Sequence, residues 1–154
     1  MYRPMWKAAI IQSSLAFGAI FLTFLILRLG HAAAVASMGA TAFIIFATPE
    51  SPAAKPKNVI GGHTIGVVSG SLCSILPVPS TLHVMLACSL AVGLSLLLMV
   101  LTETQHPPAA GTALASALAG TSTHILTGVL ASAIMLALFH TILKKHLIDF
   151  SIAH

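Results

Sequence analysis

The stretch Ala8-Ala9-Ile10-Ile11-Gln12-Ser13-Ser14-Leu15-Ala16-Phe17-Gly18-Ala19-Ile20-Phe21-Leu22-Thr23-Phe24-Leu25-Ile26-Leu27 carries no charged side chain. A run of about 20 apolar residues matches the hydrocarbon thickness of a bilayer. Arg3 and Lys7 before it and Ala32-Ala33-Ala34 after it imitate a secretory signal. The apolar core of such a signal is only about 7–15 residues long, so the run reads as a retained spanning helix. Outward from it, the stretches 60–78, 82–102 and 123–143 are also long enough to cross, as is the first over 8–29. Two apolar stretches, 32–48 and 109–121, are short for a crossing.

Composition agrees with a membrane class. The chain is 57% hydrophobic and 6% charged, with a mean hydropathy of +1.01. Soluble domains carry about 25% charged residues, so this chain lacks the polar atoms to cover a water-facing surface. The net charge of +4 comes from scattered Lys and Arg at segment boundaries, not from a stripe that would bind nucleic acid. Cys73 and Cys88 fall inside apolar segments without metal-ligand spacing and read as small packing residues. The expected fold is an all-α, polytopic membrane helix bundle in a single transmembrane domain over 1–154, with no soluble appendage.

Charge bias sets the expected orientation. Arg3, Lys7, Lys55, Lys57, Lys144 and Lys145 should face the cytoplasm, while the loop 77–83 has neither Lys nor Arg and should face outward. All of these agree only if both short segments also cross, with Arg28 snorkelling outward. The count is then three crossings per half, an inverted 3+3 repeat with repeat A over about 8–78 and repeat B over about 82–143. Inverted repeats are a transporter signature. Gly62, Gly66, Gly70 and Ser74 recur every fourth residue, as do Ala87, Ala91 and Ser95. Such stripes let helix backbones approach closely in lipid.

The chemistry points to binding. There is no HExxH, GxSxG or P-loop, so an enzyme is not expected. Glu103 and His106 have the Glu-x-x-His spacing of a di-iron helix, but the chain holds only three acids, too few for that site. No metal or cofactor is expected. His83, His140, His146 and His154 read as interfacial, Asp149 as water-facing, and His31 and His124 as possible caps. The short segments suggest instead a pair of broken helices, one opening at Gly39-Ala40-Thr41-Ala42 and one at His106-Pro107-Pro108-Ala109-Ala110-Gly111-Thr112. Proline fits a first helical turn, where an N–H is not needed. Unpaired amides and the positive dipole end at a helix start suit an anion. Two such starts near the midplane would face a single monovalent charge, whose bare burial costs tens of kcal/mol. The candidate substrate-binding residues are Gly39, Ala40, Thr41, Asn58, Gly61, Gly62, His63, His106, Pro107, Pro108, Ala109, Gly111 and Thr112, with Lys57 and Glu103 at the mouth. His106 is placed to supply a proton or a hydrogen bond.

Three blocks, Met38–Phe46, Ser51–His63 and His106–Ala113, resemble the HPP family of membrane proteins, named for the tripeptide found here at His106-Pro107-Pro108. The resemblance covers nearly the whole chain and implies four spanning helices, in keeping with the four long segments. It also implies transport of a small anion, nitrite first, since members in cyanobacteria and plastids are associated with nitrite. Two departures stand out: Lys57 where Arg is common, and Ala109-Ala110-Gly111-Thr112 in place of an Ala-Gly-Ala-Thr order. The expectation is a multi-pass protein of the bacterial inner membrane with both termini cytoplasmic, probed by a small inorganic anion and assembled as a homo-oligomer, a dimer on size alone. An anion channel and a non-transporting scaffold are the alternative readings.

Overall fold

A computed structural model describes residues 5–27, 32–77, 80–120 and 122–152. Arg3, Arg28, His31, Val78, Pro79, Thr121 and His154 lie outside the described residues. Six α-helices follow in order: α1 (Met5–Leu27), α2 (Ala32–Ala47), α3 (Pro56–Cys73), α4 (Thr81–Leu101), α5 (Pro108–Ala119) and α6 (Thr123–Leu143). Short 3-10 turns lie at Pro52–Ala54 and Lys144–His146, and no strand occurs among the described residues.

Proline sets two of the starts. Pro56 opens α3 and Pro108 opens α5, each in the first turn, where the missing amide hydrogen costs nothing. Helix α5 stops at Gly120, whose φ of 71° is the left-handed conformation that glycine adopts without strain.

The chain departs from the sequence reading in two respects. Helix α2 runs from Ala32 to Ala47 without a break, so Gly39 lies inside it and opens nothing. Both Gly39 and Ala40 are exposed on its outer face, and no atom lies within 4 Å of where a Gly39 Cβ would stand. In an apolar setting a helix keeps its own hydrogen bonds unless something else satisfies the freed groups, and nothing does so there. Second, among the described residues three helices rather than four are long and apolar enough to cross: Met5–Ile26, Thr81–Leu101 and Thr123–His146. Helix α3 is shorter than 60–78 implied at its far end, begins earlier, and is diluted by Lys57, Asn58, His63, Thr64, Ser69, Ser71 and its glycines.

That polar helix is the axis of the bundle. It packs most extensively on α5, with α4 on one side and α6 on the other, while α2 packs on α5, α6 and α1. The glycine stripe is the α3–α5 seam. A Cβ on Gly62 would stand 2.7 Å from the His106 Cβ, one on Gly66 would strike the Ala109 carbonyl, and one on Gly70 the Ala113 carbonyl. These contacts advance together along both helices, so α3 and α5 run parallel. Ala87, Ala91 and Ser95 of α4 are buried as well. The large apolar side chains point the other way: Phe17, Phe21, Leu25, Phe43, Leu86, Leu90 and Leu101 are exposed, as a lipid-facing surface requires.

One end of the bundle collects the α2–α3 connection and the chain's last described residues. Lys144 pairs with Glu50 at 2.8 Å, the Glu50 amide donates to Asp149 Oδ2 at 2.8 Å, and the Phe150 amide donates to the Ala47 carbonyl at 2.9 Å. Gln12 of α1 ties in through Ile148, donating to its carbonyl at 2.9 Å and accepting from its amide at 3.0 Å. Asp149 and His140, expected at water-facing or interfacial positions, are buried, and His140 Nε2 donates to the Pro49 carbonyl at 2.9 Å. They are buried because the α2–α3 loop folds over the end of α6. Lys55, Lys57, Lys144 and Lys145 all lie at this same end.

Replacing a seam glycine should therefore be far worse than replacing an outward one. Gly66→Leu should abolish a monodisperse gel-filtration peak in detergent. Gly39→Ala should leave the peak intact and hold or raise the melting temperature, since alanine favours helix by up to about 1 kcal/mol.

A buried histidine–threonine cluster as candidate site

Two short turns bring the site together. After α4, Glu103 takes φ 53° and the Thr104 amide donates back to the Met99 carbonyl at 2.9 Å. This is a helix-ending motif usually given to glycine, so a non-glycine residue there stores strain. It throws Thr104–His106 across the face of α3, where Thr104 lies against Gly61 and His106 against Gly62. Only the lack of a side chain at Gly62 lets the His106 ring in. The second turn, Ser51–Lys55, is held by the Ser51 hydroxyl accepting from the Ala53 amide at 3.3 Å. It presents the Ala53 carbonyl to the same place.

The result is a chain of polar side chains sealed inside an apolar bundle. Thr41 of α2, His63 of α3, His106 of the α4–α5 turn and Thr112 of α5 are each 0% exposed, and Ser37 of α2 is 4% exposed. Thr41 Oγ1 lies 2.9 Å from His63 Nε2 and 2.9 Å from His106 Nε2. His63 Nδ1 lies 2.8 Å from Thr112 Oγ1, which lies 2.9 Å from Ser37 Oγ. At the other end His106 Nδ1 donates to the Ala53 carbonyl at 2.8 Å. The two imidazoles meet edge to face with centroids 4.9 Å apart. Beside them Asn58 Nδ2 donates to the Gln105 carbonyl at 3.1 Å, tying α3 to the α4–α5 turn.

The structure thus gathers Thr41, His63, His106 and Thr112 into one cluster, with Asn58, Gly61, Gly62, Pro108, Ala109 and Gly111 around it. Gly61 and Gly62 provide clearance, and Gly111 lets Ser37 approach, since a Cβ there would stand 3.3 Å from the Ser37 Cβ. Gly39 and Ala40 stand apart on the outer face of α2, and Lys57, Glu103 and Pro107 are exposed at the end of the bundle that holds Lys55 and Lys144, its near end. Glu103 and His106 do not share a helix face, because α4 has ended before either.

The expected anion cradle of backbone amides is not what these turns build. Pro107 and Pro108 have no amide hydrogen, and those of Ala109 and Ala110 are already donated to the His106 and Pro107 carbonyls at 2.9 and 3.1 Å. With α2 unbroken at Gly39, hydroxyls and imidazoles are the polar groups at this depth. The positive end of the α5 dipole still adjoins His106. Among the described residues no group of His, Cys, Asp and Glu could hold a metal, and Cys73 and Cys88 are free and buried. Ser37 and the Ala53 carbonyl escaped the sequence reading. Ser37 lies one turn from Thr41 on the same face, a signal that was there to be used; a backbone carbonyl leaves none.

Further toward the opposite end, the hydroxyls of Ser69 and Ser116 are buried and lack a hydrogen-bond partner. Ser116 is one turn beyond Thr112 on α5. Past it, a cavity of about 300 Å³ opens among Ser74, Val84, Ala87, Ala117, Leu118, Ala119 and Gly120.

A parallel helix pair fastened by glycine, a sealed polar line and an apolar exterior define a multi-pass α-helical integral membrane protein. Its sequence matches the family model "HPP, transmembrane region" over residues 1–148. The chain belongs to the HPP family. Two transmembrane proteins of Dictyostelium discoideum are similar to it. One is 44% identical over 80 residues, covering 52% of this chain and 28% of the relative. The other is 38% identical over 78 residues, covering 51% and 25%. The aligned part is thus about a quarter of the length of the curated relatives. No solved structure matches the chain.

Loss of one link should register in stability. Thr112→Val leaves His63 Nδ1 and Ser37 facing a methyl group, and an unsatisfied buried polar group costs about 1–3 kcal/mol. A lowered thermal midpoint in detergent, mostly restored in Thr112→Ser, is the expected outcome. An unchanged midpoint would mean the bond contributes nothing.

Proposed function

We propose that this protein carries a small monovalent inorganic anion, nitrite first, across a bacterial inner membrane. The observation that carries the reading is the sealed Ser37–Thr112–His63–Thr41–His106 line in a bundle whose exterior is apolar. Buried polar groups at membrane depth are costly and mark solute pathways. Hydroxyl and imidazole donors without a fixed cation suit an anion that must be released as well as bound. Asn58 and exposed Lys57 would receive the ion at the near end, which the lysine bias assigns to the cytoplasm together with both termini. The unpartnered Ser116 hydroxyl and the cavity beyond it supply the other approach.

Movement of the ion requires the threonine–histidine bonds to open and re-form around it. If α1–α3 and α4–α6 act as inverted repeats, rocking one against the other would open the line to each side in turn. A homodimer would give so small a bundle a stationary partner to rock against.

Uptake of labelled nitrite into proteoliposomes tests the reading. His106→Ala and Thr112→Val should each lower the initial rate at least tenfold while the protein remains monodisperse. Wild-type rates in both variants would remove the cluster from the pathway, and wild-type uptake no faster than that of empty vesicles would end the transport reading.

A further inference from the structure

With both rings neutral, the bond directions along the line follow from valence. The Ala53 carbonyl can only accept, so His106 carries a hydrogen on Nδ1. In a neutral ring its Nε2 is then a lone pair, which must receive the Thr41 O–H. Thr41 Oγ1 also lies 3.0 Å from the Ser37 carbonyl, but one hydroxyl hydrogen cannot serve both acceptors. Having given its hydrogen to His106, Thr41 accepts from His63 Nε2, so His63 carries its hydrogen there. The His63 Nδ1 lone pair then takes the Thr112 O–H, and Thr112 accepts from Ser37. The neutral line is thus polarised along its whole length, with the two histidines in opposite tautomers.

The same heavy atoms hold a second arrangement with one more proton. A proton delivered by a hydronium ion to the Ser37 oxygen releases water there. The original Ser37 hydrogen passes to Thr112, that of Thr112 to His63 Nδ1, that of His63 Nε2 to Thr41, and that of Thr41 to His106 Nε2. One O–H or N–H bond breaks and one forms at each step. Ser37 keeps the incoming hydrogen, His63 ends neutral with its hydrogen on Nδ1, and His106 ends as an imidazolium donating to Thr41 and Ala53. Along the line from Ser37 to Ala53 each link keeps one donor and one acceptor in both arrangements, and in both the Ser37 carbonyl goes without the Thr41 hydrogen.

We propose that Ser37, Thr112, His63, Thr41 and His106 form a proton relay ending at the Ala53 carbonyl, delivering a proton from the middle of the bundle to His106 without moving a heavy atom. From Ala47 to Ser37, α2 rises by about 15 Å, roughly half the hydrocarbon thickness, so Ser37 is the deepest member of the relay on that helix. The relay's length matches the burial of its members, and hydrogen bonds in such a chain reinforce one another. Discharge of His106 needs the Ser51–Lys55 turn to draw Ala53 away from Nδ1, which makes that turn the gate on the near side.

The surrounding elements bring no competing ionisable group into the line. Among their described side chains, α2 and α5 have none. Helix α3 adds exposed Lys57 and, near its far end, Cys73; α4 adds exposed His83 and buried Cys88; α6 adds exposed His124 and buried His140, whose Nε2 is engaged with Pro49. Lys55 and Glu103 on the near-end turns are exposed.

The relay goes beyond anion transport and stands or falls apart from it. The test is magnetic resonance of the full chain labelled with nitrogen-15 in histidine, in phosphatidylcholine nanodiscs without nitrite. At high pH the expected spectrum has His106 protonated on Nδ1 and His63 on Nε2. On acidification, His106 should become doubly protonated at the same midpoint at which the His63 hydrogen exchanges from Nε2 to Nδ1. Thr41→Val should remove this joint switch and Thr41→Ser should keep it. Identical tautomers at high pH, or a His63 tautomer that stays put while wild-type His106 charges, would overturn the proposal, and the wild-type titration decides this even if Thr41→Val fails to fold. A protein that switches jointly yet takes up no nitrite keeps the relay and loses the transport reading.

Discussion

Water cannot satisfy a polar group in the hydrocarbon layer, so every buried donor and acceptor must find its partner within the protein. That constraint organises this bundle. His63, His106, Thr41 and Thr112 would each be expensive alone, and they are tolerable because each completes the next. Their meeting depends in turn on backbone proximity. Gly62 and Gly66 hold α3 against the α5 backbone closely enough for rings on one to reach hydroxyls on the other. Packing in lipid gains nothing from hiding apolar surface, so close contact of this kind is what association must rest on. The glycine seam and the polar line are two expressions of one requirement.

The arrangement also explains why the most polar helix is the central one. Helix α3 lacks the apolar content of α1, α4 and α6 and could not face lipid on all sides. Placed between α4, α5 and α6, it turns its glycines and histidine inward and leaves the outer helices to present phenylalanine and leucine. At the near end, lysine and acid pairing closes the α2–α3 turn over α6 and fixes the carbonyl of Ala53 against His106. The cluster is therefore supported from a loop on one side and from packed helices on the other.

Much of this was legible beforehand. The charge-free run over 8–27, the proline start at Pro107-Pro108 and the four-residue spacing of Gly62, Gly66 and Gly70 each encode a local or pairwise fact, and each appears as an element or a seam; the start of α3 at Pro56 lies in a stretch that reads as loop. Thr41, His63, His106 and Thr112 were recognisable as unusual residues in apolar surroundings. What misled was Gly39. A glycine beside alanine and threonine looks like a helix start, yet the same residues are compatible with an unbroken helix, and only the absence of any outside partner for freed backbone groups decides between them. The proline pair misled in a subtler way: it marks the start of α5 correctly while removing the very amides that an anion site there would use.

The sequence by itself determined that the chain is a helical membrane protein, where most helices begin and that Thr41, His63, His106 and Thr112 are candidates for a site, because hydropathy, proline and residue spacing act over a few turns. Tertiary structure alone decided that His106 reaches His63 through Thr41 and that Ala53 closes the line. Those contacts join residues 22 to 65 positions apart, and their geometry follows from how closely two parallel helices can approach, which no local pattern encodes.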